Sequence, residues 1–308
     1  MRVRFSAIAA AALAISLTAP AHAEDEITAK SVDEKNVVSG KTTRDPALGY
    51  IFVQAPNRVF GTFLRVPDDA TLADYQADWD KAFAKAQKKY ASAIVSWESQ
   101  AKAAKGTTIK VPPKPVEPTR ETFQIAPIDL RDMASFGPMF IFSKTDNRFN
   151  YLTALKPGTY IYYGLVMAGA GVPAAGACNC MGTVKLEVKP GMVTDLGNAL
   201  YAAPRAEPPY DVATQLGMAY AEKRKAKGKE EIKPMELAFG LPDSLKDWPS
   251  EKAVFRASGK INNFFQLPIT RMAPIPGVLA YRRDVAIDVV TGQDVPNPQI
   301  YSLIKKKK

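Results

Sequence analysis

The chain contains a single histidine, His22, and only two cysteines, Cys178 and Cys180. Residues 1–23 read as a secretory signal: Arg2 and Arg4 give a basic start, Phe5 to Leu17 an Ala-rich apolar stretch, and Ala21-His22-Ala23 a small-x-small cleavage site. Cleavage after Ala23 leaves 285 of the 308 residues and no imidazole among them. That excludes Ser-His-Asp and Cys-His nucleophilic sites and the common His-based zinc sites. The residue immediately after the cleavage point is Glu24 and not a cysteine, so no lipid anchor is expected. No later run approaches the roughly 20 apolar residues that a transmembrane helix needs. The expected location is the periplasm or the exterior, with no transmembrane span once the signal is removed. No Gly-rich phosphate loop precedes a helix either.

What is present is basic. The formal charge is +10, of which +8 remains without Arg2 and Arg4, and Lys305-Lys306-Lys307-Lys308 supply half of that. Such a tail is either a frayed, solvated end or a weak attractor of anionic polymers, lipid headgroups or nucleic acid. Basic residues are not interleaved with aromatics on one face, so nucleic acid is not the expected partner. An envelope protein or an anionic envelope polymer is.

Lys156-Pro157-Gly158 and Lys189-Pro190-Gly191 are one turn written twice. Pro presets φ and Gly accepts φ > 0, the type II signature, which predicts an antiparallel β module. Strands are expected over Tyr50–Val53, Val59–Leu64, Thr122–Ile125, Met139–Phe142, Tyr160–Val166, Thr183–Val188 and Val254–Arg256, with a longer one over Leu279–Val290. From about Thr71 to Lys105 there is no Gly or Pro. Apolar residues there fall three or four apart, predicting one helix of roughly 50 Å. Val111-Pro112-Pro113-Lys114-Pro115 then reads as a stiff return connector. A second helix is expected over Asp211–Lys227, with Lys and Arg at its C-terminal end and Gly228 after it.

The expected fold is mainly β (α+β): an antiparallel β-sandwich with a long helical insertion and a second helix. The divisions are a signal at 1–23, a flexible leader at 24–45, the sandwich at 46–200 with the insertion at 68–120, a C-terminal region at 201–304 packing on the same domain, and the basic tail at 305–308. Tyr75, Trp79, Phe83, Tyr90 and Trp97 form the stripe of the long helix. They are either its packing face on the sheet or aromatics offered to a partner.

If the strand ending at Val188 runs unbroken, Cys178 and Cys180 share the apolar side with Val184 and Leu186. Their Cα atoms would then be about 6.6 Å apart, the upper edge of disulfide geometry, so a bond needs a bend at Asn179. Three readings compete: a Cys178–Cys180 disulfide, buried free thiols, or a soft-metal site such as Cu(I) on Cys178, Cys180 and Met181 or Met167. A redox oxidoreductase fits less well, because its pair is spaced Cys-x-x-Cys at a helix N-terminus. Asp129, Asp132, Asp284 and Asp288 are generic carboxylates, Ser143-Lys144 and Ser258-Gly259-Lys260 generic Ser-Lys pairs, and Gly164 to Gly176 a small-residue hairpin loop.

Leu155 to Tyr160, Ala177 to Thr183 and Val188 to Gly197 resemble segments of uncharacterised bacterial envelope proteins with a small β-sandwich domain of unknown function. Ala273 to Asp284 is similar to a second stretch of the same proteins. The resemblance implies a β-sandwich and an envelope location, and carries over no catalytic residue. The function expected is a non-catalytic, exported binding or assembly module with no cofactor. The rivals are a soft-metal handling protein using Cys178, Cys180 and Met181, and an acid/base hydrolase that would need two facing carboxylates.

Overall fold

The structure is a computed structural model that describes residues 29–137, 139–145, 148–169, 172–201, 219, 222–223, 225–228 and 237–296. In chain order the elements are β1 (Lys30–Ser31), α1 (Glu34–Val38), β2 (Gly49–Ala55), β3 (Gly61–Arg65), α2 (Asp69–Ala104), β4 (Ala134–Phe136), β5 (Ser143–Thr145), β6 (Arg148–Leu155), β7 (Gly158–Gly169) and β8 (Val172–Cys178). There follow β9 (Thr183–Val188), β10 (Val193–Asp195), β11 (Ser250–Lys252), β12 (Arg256–Ser258), β13 (Leu279–Arg282), β14 (Val285–Asp288) and β15 (Gln293–Asp294). The molecule is mainly β, as its sequence pattern predicts.

Alternation along the strands builds two facing sheets. The first runs β1-β6-β2-β10-β11 with β5 also on β6, and the second β12-β9-β7-β3-β4 with β8 also on β7. Ile51, Val53 and Ala55 of β2 and Tyr151 and Leu155 of β6 face inward, meeting Phe63, Tyr162, Val184, Leu186 and Val188 of the second sheet. The opposite parity of β2 and β6, with Tyr50, Phe52, Leu152 and Ala154, is also buried, under Val32, Leu245 and Trp248. That is why β2 reads as a continuous apolar run instead of an alternating one. The first sheet is mixed, because β10 lies parallel to both β2 and β11.

The Lys-Pro-Gly segments do not close hairpins. Each carries the chain from one sheet to the other, β6 to β7 and β9 to β10. Gly191, φ 69°, sits in a turn closed by Met192 N–H on Lys189 O at 3.4 Å, whereas Gly158 has φ 143° and already belongs to β7. The crossings lie at one end of the sandwich, where Gly158 pairs with Val188 and Gly49 with Leu155. A Cβ at Gly49 would overlap the Val188 side chain, so closure of this end requires glycine there.

Other expectations need correction. Thr122–Ile125 and Met139–Phe142 form no strand among their described residues, and Leu279–Val290 is a hairpin, β13 and β14, turning at Arg283 with φ 59°. Three consecutive charged residues, Arg282-Arg283-Asp284, put this turn where no Gly or Pro announces it. The leader is partly ordered: Val32 is buried and β1 pairs with β6. Most of the helix expected over Asp211–Lys227 lies outside the described residues, although Ala219, Glu222, Lys223, Lys225 and Ala226 are helical and Gly228 follows at φ 65°. The basic tail 305–308 and the signal segment 1–23 also lie outside the described residues. No described helix is long and apolar enough to cross a membrane.

Candidate functional site

The long helix has 36 residues and a length of about 54 Å. It starts where Asp68 caps it, accepting from Thr71 N–H at 2.8 Å, and it ends before Gly106 and the Pro-rich run. Only Thr71, Phe83 and Ala104 are buried along it. The stripe does not lie on the sheets. Its recorded ring and hydrogen-bond contacts run to the return connector: Tyr75 Oη donates to Ala126 O at 3.0 Å, Trp79 and Phe83 pack on Phe123 at 5.6 and 5.4 Å, and Trp97 Nε1 donates to Pro112 O at 2.7 Å. Arg120 lies over the Trp79 ring at 5.2 Å while its guanidinium reaches Asp80 at 3.1 Å. Tyr90 is half-buried. Helix and connector are thus one arm, inserted between β3 and β4.

Arg65 roots this arm, and its side chain is only 8% exposed. It reaches Asp68 at 2.6 Å, the Thr71 hydroxyl at 2.9 Å, Asp132 at 3.2 Å and Pro157 O at 3.0 Å. Lys156 holds the other oxygen of Asp132 at 3.2 Å. One guanidinium therefore ties the end of β3, the helix cap, the first inter-sheet crossing and the segment after the connector. Sequence reading missed this node. Asp68-x-x-Thr71 before a Gly-free run is the visible cap signal, but nothing in one dimension shows that Arg65 and Asp132 meet.

Cys178 and Cys180 form a disulfide with Cα atoms 5.2 Å apart, and both are buried. The bend comes from an interruption. β8 and β9 run in the same direction along one edge of β7, with Gly164 opposite Cys178 and Ile161 opposite Lys185, so the Cys loop is an excursion in what would be one strand. The chain therefore leaves strand parity before Thr183. The cysteines lie on the outer face of the second sheet with Leu64, Tyr163, Val166, Phe264, Phe265 and Leu267, opposite Val184 and Leu186. The segment after β12 stitches the excursion shut: Cys178 N–H donates to Pro268 O at 3.0 Å, Thr270 N–H to Cys178 O at 2.7 Å, Met181 N–H to Thr270 O at 3.0 Å and Met272 N–H to Gly182 O at 2.9 Å. Tyr163 Oη accepts from Phe264 N–H at 2.9 Å, and burial pushes its ionisation up to about 12. As a disulfide the pair offers no thiolate to a metal. A soft-metal role for Cys178, Cys180 and Met181 requires reduction first.

The generic candidates are dispersed. Asp132 serves Arg65 and Lys156, Asp284 meets Lys260 at 3.0 Å, and Asp288 takes Arg256 at 2.6 Å. Ser143 accepts from the Asn150 amide at 2.9 Å while Lys144 lies over Phe149, and Ser258 is buried in β12. A cleft of about 730 Å³ opens between β9, β12 and the β14–β15 turn, lined by Lys185, Arg256, Asp288 and Asp294 among others. Its most buried carboxylate, Asp288, is committed to Arg256. Asp195 is buried and clamps a distant segment, accepting from Gly197 and Gly240 N–H at 2.8 and 2.7 Å, and desolvation shifts its ionisation upward from the ordinary Asp value.

A comparison with protein-family models, with curated proteins and with solved structures finds no match to this chain.

Proposed function

We propose that this chain is a non-catalytic, exported binding or assembly module of the bacterial envelope, whose helix–connector arm is the docking element. The observation that carries this reading is the arm: a 36-residue helix whose stripe seats its own connector instead of the sheets, so that it adds little to the core. A long element that the sandwich does not need for its packing is free to serve a contact outside it. The buried Cys178–Cys180 disulfide fits an oxidising compartment. The individual carboxylates, each held by a different cation, support a scaffold more than an acid/base site.

The test replaces residues 72–124 by a short flexible linker, which keeps Arg65, Asp68, Thr71 and Asp132 in place. In-cell cross-linking then compares the two proteins. The expected result is loss of the cross-linked species of the intact chain while the sandwich keeps its melting temperature. An unchanged cross-linking pattern overturns the reading.

A further inference from the structure

The arm is polarised in charge. Residues 68–80 contain five Asp and no base, whereas residues 81–114 contain eight Lys and one acid, Glu98. The helix dipole favours acids at the start and bases at the end, but that preference fades within the terminal turn. Lys81, Lys85, Lys88 and Lys89 lie in the helix interior, where the dipole gives them nothing. At 3.6 residues per turn Lys81, Lys85 and Lys88 project about 125–175° from the centre of the stripe that seats the connector, toward solvent, with Lys89 on the flank at about 85°, and all four are exposed. Among the described residues none of them has an ion-pair partner. Lys81 and Lys85, and Lys85 and Lys89, are like charges at i,i+4, which destabilises a helix. Lys102 and the exposed Val95, two turns beyond Lys88, continue the same face. A helix that tolerates this self-repulsion on its open side is relieved of it by an anionic surface.

Which anionic surface follows from what accompanies the charge. The face carries Lys and no Arg, flexible point charges that attract phosphate but lack the planar fork that reads base edges. The rings on which bases would stack are on the other face, and the Trp97 N–H is already committed to Pro112 O. An apolar Val95 amid long lysine stems suits a lipid interface, where stems extend and ammonium groups meet headgroup phosphates.

We propose that the lysine face of α2, Lys81, Lys85, Lys88, Lys89 and Lys102 around Val95, rests on an anionic phospholipid surface. This rests on the reading of the arm as the docking element and names its partner. The test is vesicle co-sedimentation of the protein as purified from cells, its N-terminus read by mass spectrometry. Wild type should bind vesicles containing phosphatidylglycerol more strongly than phosphatidylcholine alone, and should release as salt rises well above 0.1 M, where the screening length is about 10 Å. Changing Lys81, Lys85, Lys88 and Lys89 together to Gln should weaken that binding about tenfold or more. Changing Lys30, Lys41, Lys185 and Lys246 to Gln should weaken it far less. Equal loss in both sets, no loss in the first, or preference of wild type for an oligonucleotide over vesicles each overturns the proposal. If vesicle binding is indifferent to the lysines while the arm replacement still abolishes the cross-links, the lipid partner fails and the docking arm stands.

Discussion

All seven residues of β2 are buried, whereas in α2 only three of 36 are. Both segments are rich in aromatics, yet the rings do different work. In the sandwich Phe63 lies 6.0 Å from Phe136 and 5.2 Å from Tyr162 by ring centroid, closed in by two sheets. In the arm Trp79 stacks on Phe83 at 5.0 Å with a single cover, one non-regular strand of chain that contributes Phe123 and Arg120. Burial on two sides couples a ring to the whole cooperative unit. Burial under a connector couples it to the connector.

The largest test of this contrast is Phe63→Ala. It should lower the stability of the sandwich by about 3–5 kcal/mol, the range for removing a buried ring. Trp97→Ala, by contrast, should shift the global denaturation midpoint by less than about 1 kcal/mol, while amide exchange along residues 90–112 accelerates. Equal effects on the global midpoint would show that arm and sandwich unfold as one unit.

The sandwich was legible in one dimension where period and punctuation agree. Thr183–Val188 is a strand over the expected residues, and the Gly- and Pro-free run matches α2 to within two residues at its start. The Lys-Pro-Gly segments were visible as breaks, but a break does not say whether the next strand pairs with the last or crosses to another sheet. The parity of Cys178 and Cys180 fails for a related reason: counting by two holds only for an unbroken strand, and the excursion at Asn179 to Gly182, with the bend that the disulfide needs, resets the count. The rooting of the arm on Arg65 depends on residues up to 92 positions apart, Pro157 O being the farthest. Periodicity cannot show such a contact. The lysine face is different, since its spacing was in the sequence and only the position of the connector reveals which side is open.

A second, smaller test concerns the outer face of the second sheet, intermediate between the two regions because it has one sheet beneath and one loop above. Changing Cys178 and Cys180 together to Ala should cost about 1.6 kcal/mol from loss of closure of so short a ring. The local effect should exceed the global one. Thr270 and Met272, whose amides donate to Cys178 O and Gly182 O, should lose protection first. If the double change leaves those amides as protected as before, the stitching by residues 268–272 is independent of the disulfide.

The smallest expected effect lies at the root of the arm. Thr71 N–H, donated to the Asp68 carboxylate, is the main reason that this carboxyl ionises at about 2 instead of 3.8, with the Thr71 hydroxyl and Arg65 adding to it. A carboxylate whose folded value is depressed stabilises the folded form above its unfolded value and loses that contribution as pH falls from about 4 toward 2. Protection of the amides at the start of α2, Leu72 N–H on Asp68 O among them, should therefore decline across that window. Asp68→Ala should remove about 1 kcal/mol of local stability at neutral pH, the usual worth of an N-cap. Asp68→Asn keeps an acceptor for Thr71 and should retain most of it, without the acid dependence. Persistence of the same acid-induced loss in Asp68→Asn would show that the Asp68 carboxylate is not its origin.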